Sequence, residues 1–170
     1  MAVVLNTIAA DPEANAYCSL EEAEALMQGH PFSTRWDAAT ADMRRRALVL
    51  ATRLLDDSMT WDGDPTTYEQ KLQWPRMGCV TRTGDELADD SIPEAVREAT
   101  VELARLVLVS DRSLDNEAQA AGLTSLSAAG ISMSFKANAG SKPIPDAVAR
   151  MLAHLGAVAG SSFVVPLVRT

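Results

Sequence analysis

Apolar residues recur at three- and four-residue spacing in several stretches of this chain, and each stretch predicts a helix. Ala23, Leu26 and Met27 give the first, from about Leu20 to Gln28. Ser19 with Glu22 three positions on forms a capping box at its start, and Gly29 followed by His30-Pro31 stops it. Met43, Ala47, Leu50, Ala51 and Leu54 make one stripe within Trp36–Asp57, widened by Leu48 and Leu55, in a helix that begins at Asp37 or Thr40. Val96, Ala99, Leu103, Leu106 and Val107 form a third stripe, with Val101, Ala104 and Leu108 on a second side. Ser91 as cap, Pro93 in the first turn and Glu94 mark its beginning, and it runs to about Arg112. A helix apolar on two sides is either central in its own domain or shared with a neighbouring subunit. The last helix spans Asp146 to about Leu155, with Val148, Met151, Leu152 and Leu155 inward and Gly156 as its stop. His154 stands near its C-terminus, where the helix dipole favours a protonated imidazole.

The intervening segments read differently. Ala2–Ile8 is a short strand or an N-terminal arm, ended by the Asp11-Pro12 turn signal. Val80–Asp90 is a polar loop with a turn at Thr83-Gly84-Asp85. Leu114–Gly140 is rich in Ala, Ser and Gly, and Ile131–Phe135 alternates apolar and polar residues as a half-buried strand does. Lys142-Pro143-Ile144-Pro145 is a stiff connector. Phe163, Val164, Val165, Leu167 and Arg169 belong to an apolar terminal tail that calls for burial against its own body, a neighbour or a partner. The fold class is therefore mainly α: a small bundle of about four helices with a short β-hairpin or extended excursion and an extended C-terminal tail. It is expected as a single domain over 1–170, with a helical core at 1–113, the excursion at 114–141, and a helix and tail at 142–170.

Two of the three tryptophans lie between the second and third long helices. They belong to Trp61-Asp62-Gly63 and to Gln70-Lys71-Leu72-Gln73-Trp74-Pro75-Arg76-Met77-Gly78. Proline disfavours the α region for Trp74, and Gly63 and Gly78 are natural turn positions. A compact connection is expected, with its tryptophans packed into the helical body and Arg76 held at the rim. Nothing in it is catalytic equipment.

Composition narrows the possibilities. At 170 residues the chain buries roughly 70% of its unfolded surface as one domain, and with 5% aromatic residues its core is built mainly from Leu, Val, Ala and Met. The formal net charge is −8, which opposes non-specific binding to nucleic acid through counterion release. The charge is uneven: 136–170 carries a net +3 and the remainder −11. An acidic body with a mildly basic end suggests self-association or docking, or simply a solvated acidic surface. Three successive arginines, Arg44-Arg45-Arg46, fan out at about 100° per residue on a helix and do not make one phosphate-binding face. Cys18, Cys79, His30 and His154 lack zinc-site spacing; the cysteines allow one disulfide, but two reduced, partly buried thiols are expected. No phosphate loop, nucleophile elbow or metalloprotease motif is present, so no enzyme, cofactor or metal is expected. Leu155–Val168 is too short and too interrupted for a membrane span, and no N-terminal signal pattern is visible.

Trp61-x-Gly63, a polar spacer, then Gln70-x-Leu72-x-Trp74-Pro75-Arg76-x-Gly78 resembles the signature of a phage protein family. Ala16–Ala23, Ala47–Asp56 and Ile92-Pro93 extend the resemblance along most of the chain, in order. The family is described as DnaT-like single-stranded DNA-binding protein and is similar to the head-to-tail adaptor, or head-completion, proteins of tailed phages. The adaptor resemblance implies a bacteriophage structural protein of the virion neck, present in the host cytoplasm during assembly. It further implies a homo-oligomeric ring, commonly of twelve copies, whose partners are the portal protein and a tail-completion or tail-terminator protein. Double-stranded DNA would pass its lumen without sequence-specific binding, and no membrane is involved. In that reading Trp61, Gly63, Gln70, Leu72, Trp74, Pro75, Arg76 and Gly78 fix the connection or an interface, and the tail docks on the portal. An acidic lumen that repels phosphates suits such a role. The alternative is a replication-associated single-stranded DNA binder using Arg44, Arg45, Arg46, Arg76 and Arg82. Sequence reasoning favours the adaptor, because single-strand binding needs aromatic platforms in a cationic groove and the tryptophans look committed to packing.

Overall fold

The computed structural model describes residues 2–112, the paired backbone segments 125–128 and 131–134, and residues 143–159. Within them the fold is mainly helical: α1 (Leu20–Met27), α2 (Thr34–Ala38), α3 (Ala41–Ser58), α4 (Glu94–Val107) and α5 (Asp146–Leu152). Short strands pair antiparallel, β1 (Met59–Trp61) with β6 (Gly156–Val158), β2 (Asp64–Pro65) with β3 (Arg76–Met77), and β4 (Ser125–Ala128) with β5 (Ile131–Ser134).

The two-sided apolar pattern of α4 is explained by its central place. It packs against α3 along its length and also receives α1 and α5. Val96, Ala99, Val101, Leu103 and Ala104 are all buried there. Thr100 is buried too, and its hydroxyl donates to the Val96 carbonyl oxygen at 2.7 Å, so no polar group is stranded. α3 contributes Ala47, Leu48, Ala51, Leu54 and Leu55 to the same core.

Helix boundaries follow the local chemistry. The capping box of α1 forms as expected: Ser19 Oγ accepts from the Glu22 N–H at 3.1 Å, and Glu22 Oε2 accepts from the Ser19 N–H at 2.8 Å. The stretch from Trp36 is two helices, because Ala39 is extended and Thr40 caps α3 through its side chain, which accepts from the Met43 N–H at 3.2 Å. Pro93, rather than Ser91, occupies the cap position of α4, where its missing N–H costs nothing. α4 ends at Val107 and α5 at Leu152, both short of the expected ends. Residues 2–8 form an arm without strand pairing, held where Val3 N–H donates to Asp42 Oδ1 at 2.8 Å and Asn15 Nδ2 donates to the Val4 carbonyl oxygen at 2.9 Å.

One long-range pairing escaped the pattern. β1 runs directly out of α3 and pairs with β6, Trp61 opposite Gly156. A Cβ at residue 156 would lie 2.4 Å from the Thr60 carbonyl oxygen. Gly156 therefore admits a strand as well as stopping a helix. The hairpin expected around Ile131 is present, with Ala128 opposite Ile131. The tail residues Phe163, Val164, Val165, Leu167 and Arg169 lie outside the described residues.

Candidate functional site

α3 delivers the chain through β1 into the tryptophan connection. Trp61 and Trp74 are buried and meet edge to face, ring centroids 5.6 Å apart at 87°. Neither indole N–H finds a hydrogen-bond partner among the described residues. Both rings serve as core, as their apolar surface favours. Gly63 is left-handed at φ 67°, and a Cβ there would lie 2.1 Å from the Met77 carbonyl oxygen, so the tight passage between β2 and β3 admits no side chain. Gly78 leaves β3 at φ 74°. The Trp74–Pro75 bond is cis, which the sequence did not disclose.

Arg76 is not at the rim. It is buried, 7% exposed, and spends its guanidinium inside the connection. Nε donates to the Asp62 carbonyl oxygen at 2.7 Å, Nη2 to that of Gly63 at 2.6 Å, and Nη1 to the carbonyl and side-chain oxygens of Gln73 at 3.2 and 3.1 Å. Five fixed donors suit this task better than a lysine's point charge. Gln70 braces the other half: Nε2 donates to the carbonyl oxygens of Leu72 at 2.8 Å and Pro75 at 3.0 Å, and Oε1 accepts from the Thr67 N–H at 3.0 Å. Leu72 packs half-buried on the core.

A third brace reaches down into α3. Asp56 Oδ2 accepts from the Gln73 N–H at 3.2 Å, and Oδ1 accepts from the buried Tyr17 hydroxyl. Burial pushes the Asp56 carboxyl up to about 6, opposed by the hydrogen bond from Tyr17. Burial and the neighbouring Asp56 carboxyl together hold the Tyr17 phenol well above its ordinary range.

The braced loop 66–75 offers other residues to solvent. Tyr68 is fully exposed. Lys71 is exposed as well, and its side chain has no ion pair or hydrogen bond among the described residues. Beside them lies an open cavity of about 270 Å³ lined by Pro65, Thr67, Tyr68, Gln70, Leu72 and Gln73. Sequence reasoning missed Tyr68 and Lys71, which lie in and beside the signature without belonging to its fixed positions. The available signal was a tyrosine in a polar spacer, where no apolar neighbour exists to bury it.

The arginines named for nucleic acid are mostly engaged. Arg44 pairs with Glu24 at 3.0 Å, donates to the carbonyl oxygens of Trp36 and Asp37, and lies 5.8 Å from the centroid of the Trp36 ring. Arg46 pairs with Asp42 at 2.8 Å. Arg82 donates to the last carbonyl oxygens of α5, those of Arg150 and Met151, each at 3.1 Å. That corrects the expectation for His154: Arg82 already answers the helix end, and burial, followed by the Arg82 charge, holds the imidazole below its usual range. Arg45 retains no partner among the described residues. Cys18 and Cys79 are free and buried; burial pushes the Cys18 thiol up to about 12, leaving it inert.

The fold is small and mainly helical, its signature motif is internal bracing, and among the described residues no group of His, Cys, Asp or Glu could hold a metal ion. Residues 1–170 match the family described as "Putative DnaT-like ssDNA binding protein", and the chain belongs to that family. No curated protein and no solved structure matches the chain. The match corrects the assignment as a head-to-tail adaptor and virion connector, and it supports the reading set second above. The reason is physical: the quoted signature specifies how a loop closes on a core, and says nothing about a ring surface. The ring, portal and tail partners and the neck location rested on that adaptor resemblance alone.

Proposed function

We propose that the chain binds single-stranded DNA through loop 66–75, with Tyr68 stacking on a base and Lys71 meeting a phosphate. One observation carries this reading: a tyrosine fully exposed on a loop whose backbone is fixed by Gln70, Arg76 and Asp56. An aromatic held in place loses little freedom when it stacks, and every base presents a face to it. Thr67 and Gln73 line the adjoining cavity and add polar edges for a base, while Gln70 beside them is committed to bracing the loop. The family match supports the ligand class.

The net charge of −8 sets the character of the binding. Few cations are free to displace counterions, so the affinity is modest and rests more on stacking than on charge. Arg76 takes no part, since its donors are spent on carbonyl oxygens of its own loop. Fluorescence anisotropy of a labelled thymidine oligonucleotide at low salt tests the reading. Stacking contributes about 1–3 kcal/mol per base, so Tyr68→Ala is expected to weaken binding by roughly fivefold or more. Equal affinity for the two proteins would contradict it.

A further inference from the structure

Of the three consecutive arginines on α3, only Arg45 has no ion pair or side-chain hydrogen bond among the described residues. Arg53, two turns further on, is exposed and likewise has none. At 100° per residue, Arg53 lies opposite the buried stripe of Ala47, Leu48, Ala51, Leu54 and Leu55. Arg45, half-buried, lies on one flank of that side, and Asp56 lies on the same flank. Asp56 is where loop 66–75 is fastened to α3, through the Gln73 N–H at 3.2 Å. The ridge Arg45, Val49, Arg53 therefore climbs about 12 Å along the helix toward the loop that carries Lys71 and Tyr68.

We propose that Arg45 and Arg53 extend the DNA site along α3, forming with Lys71 a phosphate track that leads a single strand to the Tyr68 platform. The inference rests on the single-stranded DNA reading above. The track replaces the one suggested by consecutive position: of Arg44, Arg45 and Arg46, the outer two are spent on Glu24 and Asp42. The charges facing it are mixed. Asp57 stands one turn beyond Arg53 without pairing to it, Asp42 is held by Arg46 and the Val3 N–H, and Glu69 neighbours Tyr68. Three cations without an ion pair among the described residues, set amid these acids, give weak, salt-limited attraction and leave orientation to the loop. Lys and Arg at such spacing contact phosphates and set register, while the aromatic takes the base.

The test measures oligonucleotide affinity against salt concentration for the full chain and for Arg45→Gln, Arg53→Gln, their double variant, Arg46→Gln and Tyr68→Ala. On single strands the logarithmic slope is about −0.7 per phosphate contact. Each of Arg45→Gln and Arg53→Gln is expected to shallow it by about 0.7, and the double variant by about twice that. Arg46→Gln should leave the slope unchanged, which separates a local contact from a general change in net charge. Tyr68→Ala should weaken binding without altering the slope. A double variant with the wild-type slope, while Tyr68→Ala still weakens binding, would overturn the track and leave the platform standing. No binding by the wild-type chain at any salt would overturn both. Thermal melts of all variants confirm that these surface changes leave the fold intact.

Discussion

The tryptophan connection and the loop tip it carries are a few residues apart and do opposite things. Trp61, Trp74 and Arg76 face inward, and the guanidinium finds four acceptors within its own connection. Tyr68 and Lys71 face outward, and their side chains have no hydrogen bond or ion pair among the described residues. The conspicuous residues are architecture and the plain ones are available for contact. Rigidity at the base makes exposure at the tip useful, because a platform that is already ordered stacks at lower entropic cost.

Variants can separate the two regions. The largest effect is expected for Trp74→Ala, which removes a buried ring from the core at a cost of about 3–5 kcal/mol; urea unfolding should show a lowered midpoint, and an unchanged one would remove Trp74 from the core. Arg76→Met should follow. It keeps the aliphatic volume but leaves the oxygens of Asp62, Gly63 and Gln73 without their donor, at a cost of about 2–4 kcal/mol. Its DNA affinity, measured at a temperature where it remains folded, should stay close to wild type.

Asp56 gives the next effect and adds a pH signature. Its folded-state pKa, about 6, lies above its ordinary 3.8. The folded state therefore holds the proton more tightly, and the contribution to stability is complete below about 3.8 and lost as pH rises through about 6. The span corresponds to roughly 2–3 kcal/mol. Glu22 works in the opposite sense: the Ser19 N–H and Arg97 hold its carboxyl low, so its contribution is lost only at more acidic pH. Stability of Asp56→Asn should be flatter than wild type between pH 4 and 6. A slope as steep as wild type would place the titrating group elsewhere.

Much of the architecture could be read in advance where it depended on local chemistry. The Ser19–Glu22 box, the stripes of α3 and α4, and the alternation at Ile131 all rest on neighbours within a few positions. What was missed is non-local. The β1–β6 pairing joins residues about a hundred positions apart, and its trace in the sequence was a single glycine that also fits a helix stop. The site was less legible than the fold. Tryptophan and arginine attract attention because they are costly to misplace, yet here the cost explains why they are buried and bonded. Whether an arginine is free depends on acids brought in by other elements, as Glu24 of α1 meets Arg44 of α3. Consecutive position grouped Arg44 with Arg46, while packing left Arg45 and Arg53 available. The adaptor resemblance failed for a related reason, since it rested on residues that determine loop closure and carry no mark of the surface.

The most direct test pairs two readings on one variant, Tyr68→Ala, by thermal unfolding and by anisotropy with a thymidine oligonucleotide. An exposed side chain of this kind contributes within about 0.5 kcal/mol to stability, so the melting temperature should not move while affinity falls roughly fivefold or more. Unchanged affinity in a protein that melts like wild type would contradict the account, because the exposed tip would then be as idle as it is free.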